Sequence, residues 1–229
     1  SDVTTSWGSV LNSIEDNSDG TVTIATSGAE DGQTVTVVLN SKSYTGTVSS
    51  NTTSITVSAA DLQALSESST YTLSANVSDA AGNAATQHSS TTFSVDKTAP
   101  TISDVTTSWG SVLNSIEDNS DGTVTIATSG VEDGQTVTVV LNSKSYTGTV
   151  SSNTTSITVS AADLQALSES STYTLSANVS DAAGNAATQH SSTTFSVDKT
   201  APTAVLSSVA DDVGSVVGNL SSGQTTDDT

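Results

Sequence analysis

The sequence predicts an all-β fold, a tandem of Greek-key β-sandwiches of about seven strands each, with one short helical turn per repeat. Three observations predict it: an internal repeat of domain size, apolar residues that alternate along short segments, and turn residues that punctuate those segments. Residues 1–101 recur as 103–203, and the only difference between the copies is Ala29 against Val131. A repeat of about 100 residues is one domain-sized unit. The sequence therefore divides into a first repeat over 1–101, a second over 102–203, and the incomplete start of a different module over 204–229.

Within the first repeat an N-terminal strand is expected near Val3 to Trp7. Thr21 to Ala25 alternates polar and apolar residues, as do Thr34 to Leu39, Tyr44 to Val48, Ser54 to Val57, Tyr71 to Val77 and Thr92 to Val95. A period of two with β-branched residues marks a half-buried strand, because successive side chains point to opposite faces. Asp19-Gly20, Glu30-Asp31-Gly32, Asn40-Ser41, Asn51 and Gly82-Asn83 separate these runs as turns. Seven short strands in this length predict an Ig-like Greek-key sandwich. Ser58 to Leu65 breaks the pattern. A capping Ser, an acid three residues on and helically spaced apolar residues predict one helical turn there. Asp31, Asp61 and Glu67 read as structural acids of turns and caps. The second repeat carries all of this 102 positions later.

Val95-Asp96-Lys97-Thr98-Ala99-Pro100-Thr101 joins the repeats and recurs as Val197 to Thr203, and the two prolines of the chain lie in these segments. Proline holds the residue before it extended, so a short link with Pro and without Gly is expected to be stiff.

The charge balance limits function. There are 24 acidic residues against 4 lysines and no arginine, a net charge of −20. This excludes nucleic-acid binding, which needs a basic face, and disfavours direct membrane contact with anionic lipid. A fold so charged repels itself unless something offsets the charge. Divalent cations are one answer; a purely solubilising acidic surface is the other. The chain has no Cys, so no disulfide supports it, and only 33% of residues are hydrophobic. A bound metal would add stability to such a thin core.

Three groups are candidate metal ligands. In Glu15-Asp16-Asn17-Ser18-Asp19-Gly20, oxygen-bearing side chains at alternate positions followed by Gly match the first half of an EF-hand loop. The closing acid is missing, since Thr26 stands there. Glu15, Asp16 and Asp19, with Glu117, Asp118 and Asp121 in the second copy, are therefore either ligands or parts of a polar turn. The second group is Asp79 and Asn83 in the turn after the long Tyr71 strand, repeated as Asp181 and Asn185. The third is the linker acid Asp96, repeated as Asp198, with Asp104 at the start of the next unit. In a seven-stranded sandwich these places lie near one pole, where converging carboxylates repel unless a cation sits between them. An ordinary turn plus a solvated acid is the other reading.

Catalysis has little basis. His88 is the one histidine of its repeat, in an expected exposed stretch. Ser and Asp are too common for a catalytic triad to be inferred without geometry, and no enzyme substrate is expected.

The run Ser58 to Leu65, then Tyr71-Thr72-Leu73, Asp79-Ala80-Ala81-Gly82-Asn83 and Val95 to Pro100, resembles the bacterial Ig-like repeats of giant repeats-in-toxin adhesins. Ala210 to Gly214 and Gly223 to Thr229 resemble the opening of a related module. The resemblance covers both repeats. It implies calcium (Ca2+) at linkers and loops, with Asp79 and Asp96 as junction ligands, and adjacent repeats of the same chain as partners. It further implies type I secretion to the extracellular bacterial cell surface and a spacer role behind a distal binding domain. A repeat array that itself binds glycan or host protein, or that self-associates between cells, is the alternative.

Overall fold

The computed structural model describes residues 2–211 and 217–222. The first repeat runs β1 (Val3–Thr5), β2 (Val10–Leu11), β3 (Gly20–Ala25), β4 (Thr34–Leu39), β5 (Lys42–Thr47), β6 (Thr52–Val57), α1 (Ala59–Gln63), β7 (Thr70–Val77) and β8 (His88–Val95). One sheet has the order β1-β3-β6 and the other β2-β8-β7-β4-β5. The two inner faces meet in a core that includes Val22, Ile24, Val35, Val37, Ile55, Leu73 and Phe93. Alternation explains the pairing. In β6, Thr53, Ile55 and Val57 are buried while the residues between them are exposed. A one-residue slip would turn that whole face to solvent.

The second repeat repeats the topology with β9 (Thr101–Thr107), β10 (Val112–Leu113), β11 (Gly122–Ser129), β12 (Thr136–Leu141), β13 (Lys144–Thr149), β14 (Thr154–Val159), α2 (Ala161–Gln165), β15 (Thr172–Asn178) and β16 (His190–Val197). It has its own core cluster.

Local chemistry sets the turns. Asn40 and Ser41 both have positive φ (47° and 63°) between β4 and β5, which fits the twist of a two-residue hairpin. Ser58 caps α1, accepting from the Asp61 N–H at 3.3 Å. Tyr71 at the start of β7 accepts the Ser66 N–H at 2.8 Å, a corner typical of Ig-type sandwiches.

The structure differs from the sequence expectation in two places. The first strand is two strands. Gly8, at φ +66°, turns the chain, and Val10 and Leu11 cross to the other sheet to pair in parallel with Ser94 and Val95. Trp7 lies in this crossing and enters the core. Gly20 is not the pivot of a tight loop but the first residue of β3. A Cβ there would overlap the Trp7 ring, so the missing side chain makes room for the indole.

The linker leads directly into structure. β8 ends at Val95 and β9 begins at Thr101. Thr101 and Ile102 pair with Ser129 and Thr128 across a register shift, and Ile102 packs on the second core. Beyond the second repeat, β17 (Val209–Asp211) and β18 (Gly218–Leu220) form an antiparallel pair. Residues 212–214 and 223–229 of the tail motifs lie outside the described residues. Among the described residues no helix is long and apolar enough to cross a membrane.

Candidate functional site

The acidic loop is held by three separate contacts. Residues Glu15–Asn17 form a single 3-10 turn. The Glu15 carboxylate accepts the Asn12 N–H at 3.1 Å. Asp19 accepts the Ala59 N–H at 2.9 Å. Asp16, buried, lies 3.5 Å from the Lys97 ammonium. The second copy repeats this: Glu117 accepts from Asn114, Asp121 from Ala161, and Asp118 lies 3.4 Å from Lys199. Among the described residues no group of three or more His, Asp or Glu side chains is gathered closely enough to hold a metal.

The turn after β7 is organised by its own repeat. Asp79 accepts the Asn83 N–H and the Asn83 side-chain amide, both at 2.7 Å. These bonds to the charged form hold the Asp79 carboxyl below its usual range. Glu30 accepts the Ala80 N–H at 2.8 Å, and Glu132 holds Ala182 in the same way. Asp181 and Asn185 repeat the pairing at 2.8 and 2.9 Å.

The two copies of this turn differ in surroundings. Asn83 is exposed, whereas Asn185 is 0% exposed and Asp181 4%. Because the sequences are the same, the difference measures contact between repeats. The second turn docks on the far pole of the first repeat. Asn185 Oδ1 accepts the Ser13 N–H at 2.8 Å, and its Nδ2 donates to the Asp96 carbonyl at 2.9 Å. Asn12 Nδ2 donates to the Ala183 carbonyl at 2.9 Å. Pro100 is buried beside Gly130, whose φ of +76° favours glycine.

Carboxylates surround this joint. Burial raises the Asp96 carboxyl above its ordinary value of 3.8, and the charges of Asp181, Glu67 and Glu132 push it the same way. An open cleft of about 500 Å³ beside it is lined by Glu67, Asp96, Thr98 and Gly130 among others. Glu67 grips the linker, accepting the Lys97 N–H at 2.9 Å and the Thr98 hydroxyl at 3.0 Å. The Lys97 ammonium donates to the Gln63 and Leu65 carbonyls at the end of α1.

The structure thus brings together Asp96, Asp181 and Asn185. Asp79 and Asn83 are the same turn on the opposite pole of the first repeat, and Asp198, exposed, is the counterpart of Asp96 on the second. Asp104 is exposed on β9 opposite Ala127, and its side chain bonds no described residue. Sequence reasoning did not assign Asn12, Ser13, Glu132 or Lys97 to the joint. The backbone donor of Ser13 carries no sequence signal, and Glu132, before Asp133-Gly134, reads in the sequence as one more turn acid. His88 is half-buried, 2.9 Å from the Thr91 hydroxyl.

The chain is similar to solved structures of bacterial adhesins and of fibronectin(III)-like modules. A Ca2+-stabilized adhesin that helps an Antarctic bacterium reach out and bind ice is 31% identical at a TM-score of 0.54, over 88% of this chain and 50% of that one. A 1.5-MDa bacterial ice-binding adhesin is 31% identical at a TM-score of 0.48, over 83% of this chain and 61% of that one. This chain therefore spans less than two thirds of the length of either. The fibronectin(III)-like modules of Clostridium thermocellum CbhA, 13% identical at a TM-score of 0.53 over 86% of this chain and 95% of that one, share the fold. No curated protein sequence matches. The family model for the bacterial Ig-like domain (group 3) matches residues 53–186 and 157–225. With two sandwiches of Ig-type topology joined pole to pole, this chain belongs to the bacterial Ig-like domain family, group 3.

Proposed function

We propose that the chain is a calcium-dependent spacer of a bacterial cell-surface adhesin, secreted by the type I route, whose repeats hold a distal binding domain away from the cell in adhesion or biofilm. The observation that carries this reading is the acidic joint: Asp96 is half-buried and its ionisation is opposed by Asp181, Glu67 and Glu132. A site where neighbouring negative charges oppose the ionisation of a half-buried carboxyl is a site that a cation stabilises. All the donors are oxygens, the ligand type that a hard divalent ion such as Ca2+ takes. Asp96 and Asp181 would face the ion, with Glu67 fixing the linker and Glu132 fixing the Ala182 end of the turn. Asp79 with Asn83, and Asp198, are the two halves of the same arrangement at the outer poles. The similarity to a Ca2+-stabilized adhesin supports the choice of ion. Trp7 and Phe93 are core residues, which favours a spacer over an array that binds glycan through exposed aromatics. No reaction is proposed.

Binding to the native state alone adds RT ln(1 + [L]/Kd), about 2.7 kcal/mol per site at a hundredfold excess. Extracellular modules bind calcium at roughly 10⁻⁴ to 10⁻³ M, so several weak sites stiffen a chain at millimolar calcium. Small-angle X-ray scattering with calcium and with EDTA tests the reading. Calcium is expected to lengthen the particle and raise its melting temperature, and Asp96→Asn to remove the lengthening. Profiles and melting curves identical in both buffers would mean that the acids are surface charge.

The sign of the pH dependence follows from Asp96. Its carboxyl is raised in the docked joint, so protonation favours the metal-free joint; that contribution is present below 3.8 and is lost as pH rises through the raised value. Calcium must displace the proton. Its apparent affinity is expected to increase as pH rises through the carboxylate range and then to level off. Calorimetric titrations across that range check this, and an affinity independent of pH would remove Asp96 from the site.

A further inference from the structure

The joint contains a second recognition device whose bonds between the repeats join no charged group. Asn185 is fully buried, and its side-chain amide reaches both repeats. Oδ1 accepts from Ser13 N–H, while Nδ2 donates to the Asp96 carbonyl and to the Asp181 carboxylate. Asn12 adds a donor from the other side, to the Ala183 carbonyl. Every one of these bonds is made by protein atoms alone.

We propose that Asn185 is a metal-independent docking site that recognises the C-terminal pole of the preceding repeat, reading its Asn12-Ser13 loop and the Asp96 carbonyl, and so fixes the joint before any ion binds. The two surfaces are preformed. The turn bonds that position Asn185 are present at similar distances around the undocked Asn83. The Asn12 side chain accepts the Ile14 and Glu15 N–H groups in the docked loop, and Asn114 accepts those of Ile116 and Glu117 in the undocked one. Docking therefore orders little that is not already ordered, which keeps its entropic cost low. The contact is also heterologous: a turn at one pole meets a different loop at the other, so repeats join head to tail and cannot join head to head. The partner must offer a main-chain donor and a main-chain acceptor at the spacing of Ser13 and Asp96. A buried amide whose groups are all paired is a strong selector, because a mismatched partner leaves them unpaired.

The proposal rests on the joint and not on calcium, and one experiment separates the two. The chain has no cysteine. Ser43→Cys and Ser145→Cys, both exposed and one in each repeat, therefore carry a pair of spin labels for inter-repeat distance distributions in EDTA and in millimolar calcium. Asn185→Asp places a carboxylate oxygen against the Asp96 carbonyl and the Asp181 carboxylate. Asn83→Asp makes the same change in the undocked copy of the turn and is the control for any local damage. In EDTA the parent and Asn83→Asp are expected to give one narrow distribution and Asn185→Asp one at least twofold broader. A parent in EDTA as broad as Asn185→Asp overturns the proposal, and narrowing by calcium would then leave the calcium reading standing alone. Broadening by Asn83→Asp equal to that by Asn185→Asp also overturns it, as does an Asn185→Asp distribution as narrow as the parent. If Asn185→Asp broadens the distribution and calcium changes none of them, the docking site stands and the calcium reading falls.

Discussion

Replacing Trp7 by alanine is expected to melt the first repeat well below the second and to split one thermal transition into two. Trp7 is 3% exposed and packs edge-on against Phe93 at 5.3 Å. Its ring fills the space that Gly20 leaves, close to Leu62. It is also the residue at which the first strand changes sheets, so no neighbouring side chain can move in without undoing β2. Such a site collapses poorly, and truncating a buried aromatic to alanine costs about 3–5 kcal/mol. In a domain of about 100 residues each kcal/mol moves the midpoint by roughly 4–8 °C, so the shift is on the order of 15–30 °C. The chain has two tryptophans, so in this variant the tryptophan emission, excited selectively, comes from Trp109 alone and reports the second repeat. Circular dichroism is expected to show the low transition and fluorescence the high one. A single transition at the parent temperature would mean that the crossing is not a core element. A single lowered transition seen by both probes would mean that the joint couples the repeats into one cooperative unit.

That crossing is also the part of the fold the sequence concealed. β3, β4, β6 and β7 are legible because each is long enough to alternate several times and has one buried face. β2 has two residues, Val10 and Leu11, too few to show any period. Gly8, which allows the crossing, reads as one more loop glycine. Gly20 illustrates the opposite error. Next to Asp19 it looks like turn chemistry, yet the constraint on it comes from an indole thirteen positions away in the chain.

The candidate site was legible as a set of places and not as a geometry. Asp96, Asp181 and Asn185 stand out in the sequence and meet in the structure, because a turn at one pole and a linker at the other must come together in a head-to-tail chain. The acidic loop was read by spacing. Alternate oxygens face one ion only if the loop curls around that ion. A 3-10 turn instead advances about 120° per residue, which sends Glu15 to Asn12 and Asp16 to Lys97 while Asp19, beyond the turn, meets Ala59. The roles of Ser13 and Glu132 depend on what the neighbouring repeat presents, which no periodicity within one repeat encodes.

Lys97 supplies inside the first repeat, as Lys199 does inside the second, the positive charge that calcium is proposed to supply between repeats, and removing it is expected to be the most damaging change in the linker. Its ammonium, with the side chain 18% exposed, lies 3.5 Å from Asp16, whose side chain is 10% exposed. It also takes the Gln63 and Leu65 carbonyls, which the end of α1 leaves without helical partners. Lys97→Met keeps the length of the side chain and removes the charge. Breaking a buried ion pair from one side costs about 3–5 kcal/mol because the other charge is left unpaired; the 3.5 Å separation and the partial exposure put the expected loss nearer 2–3 kcal/mol. Asp16→Asn in the same chain removes the stranded charge and is expected to restore roughly 1 kcal/mol or more, a coupling of the size found between residues in contact. Chemical denaturation of the parent, both single variants and the double variant measures this. A Lys97→Met loss within about 0.5 kcal/mol, the range of ordinary surface changes, would show that the ammonium is not a structural cation. Restoration by Asp16→Asn would show that it is one, and that Asp16 already has its counter-charge without a metal.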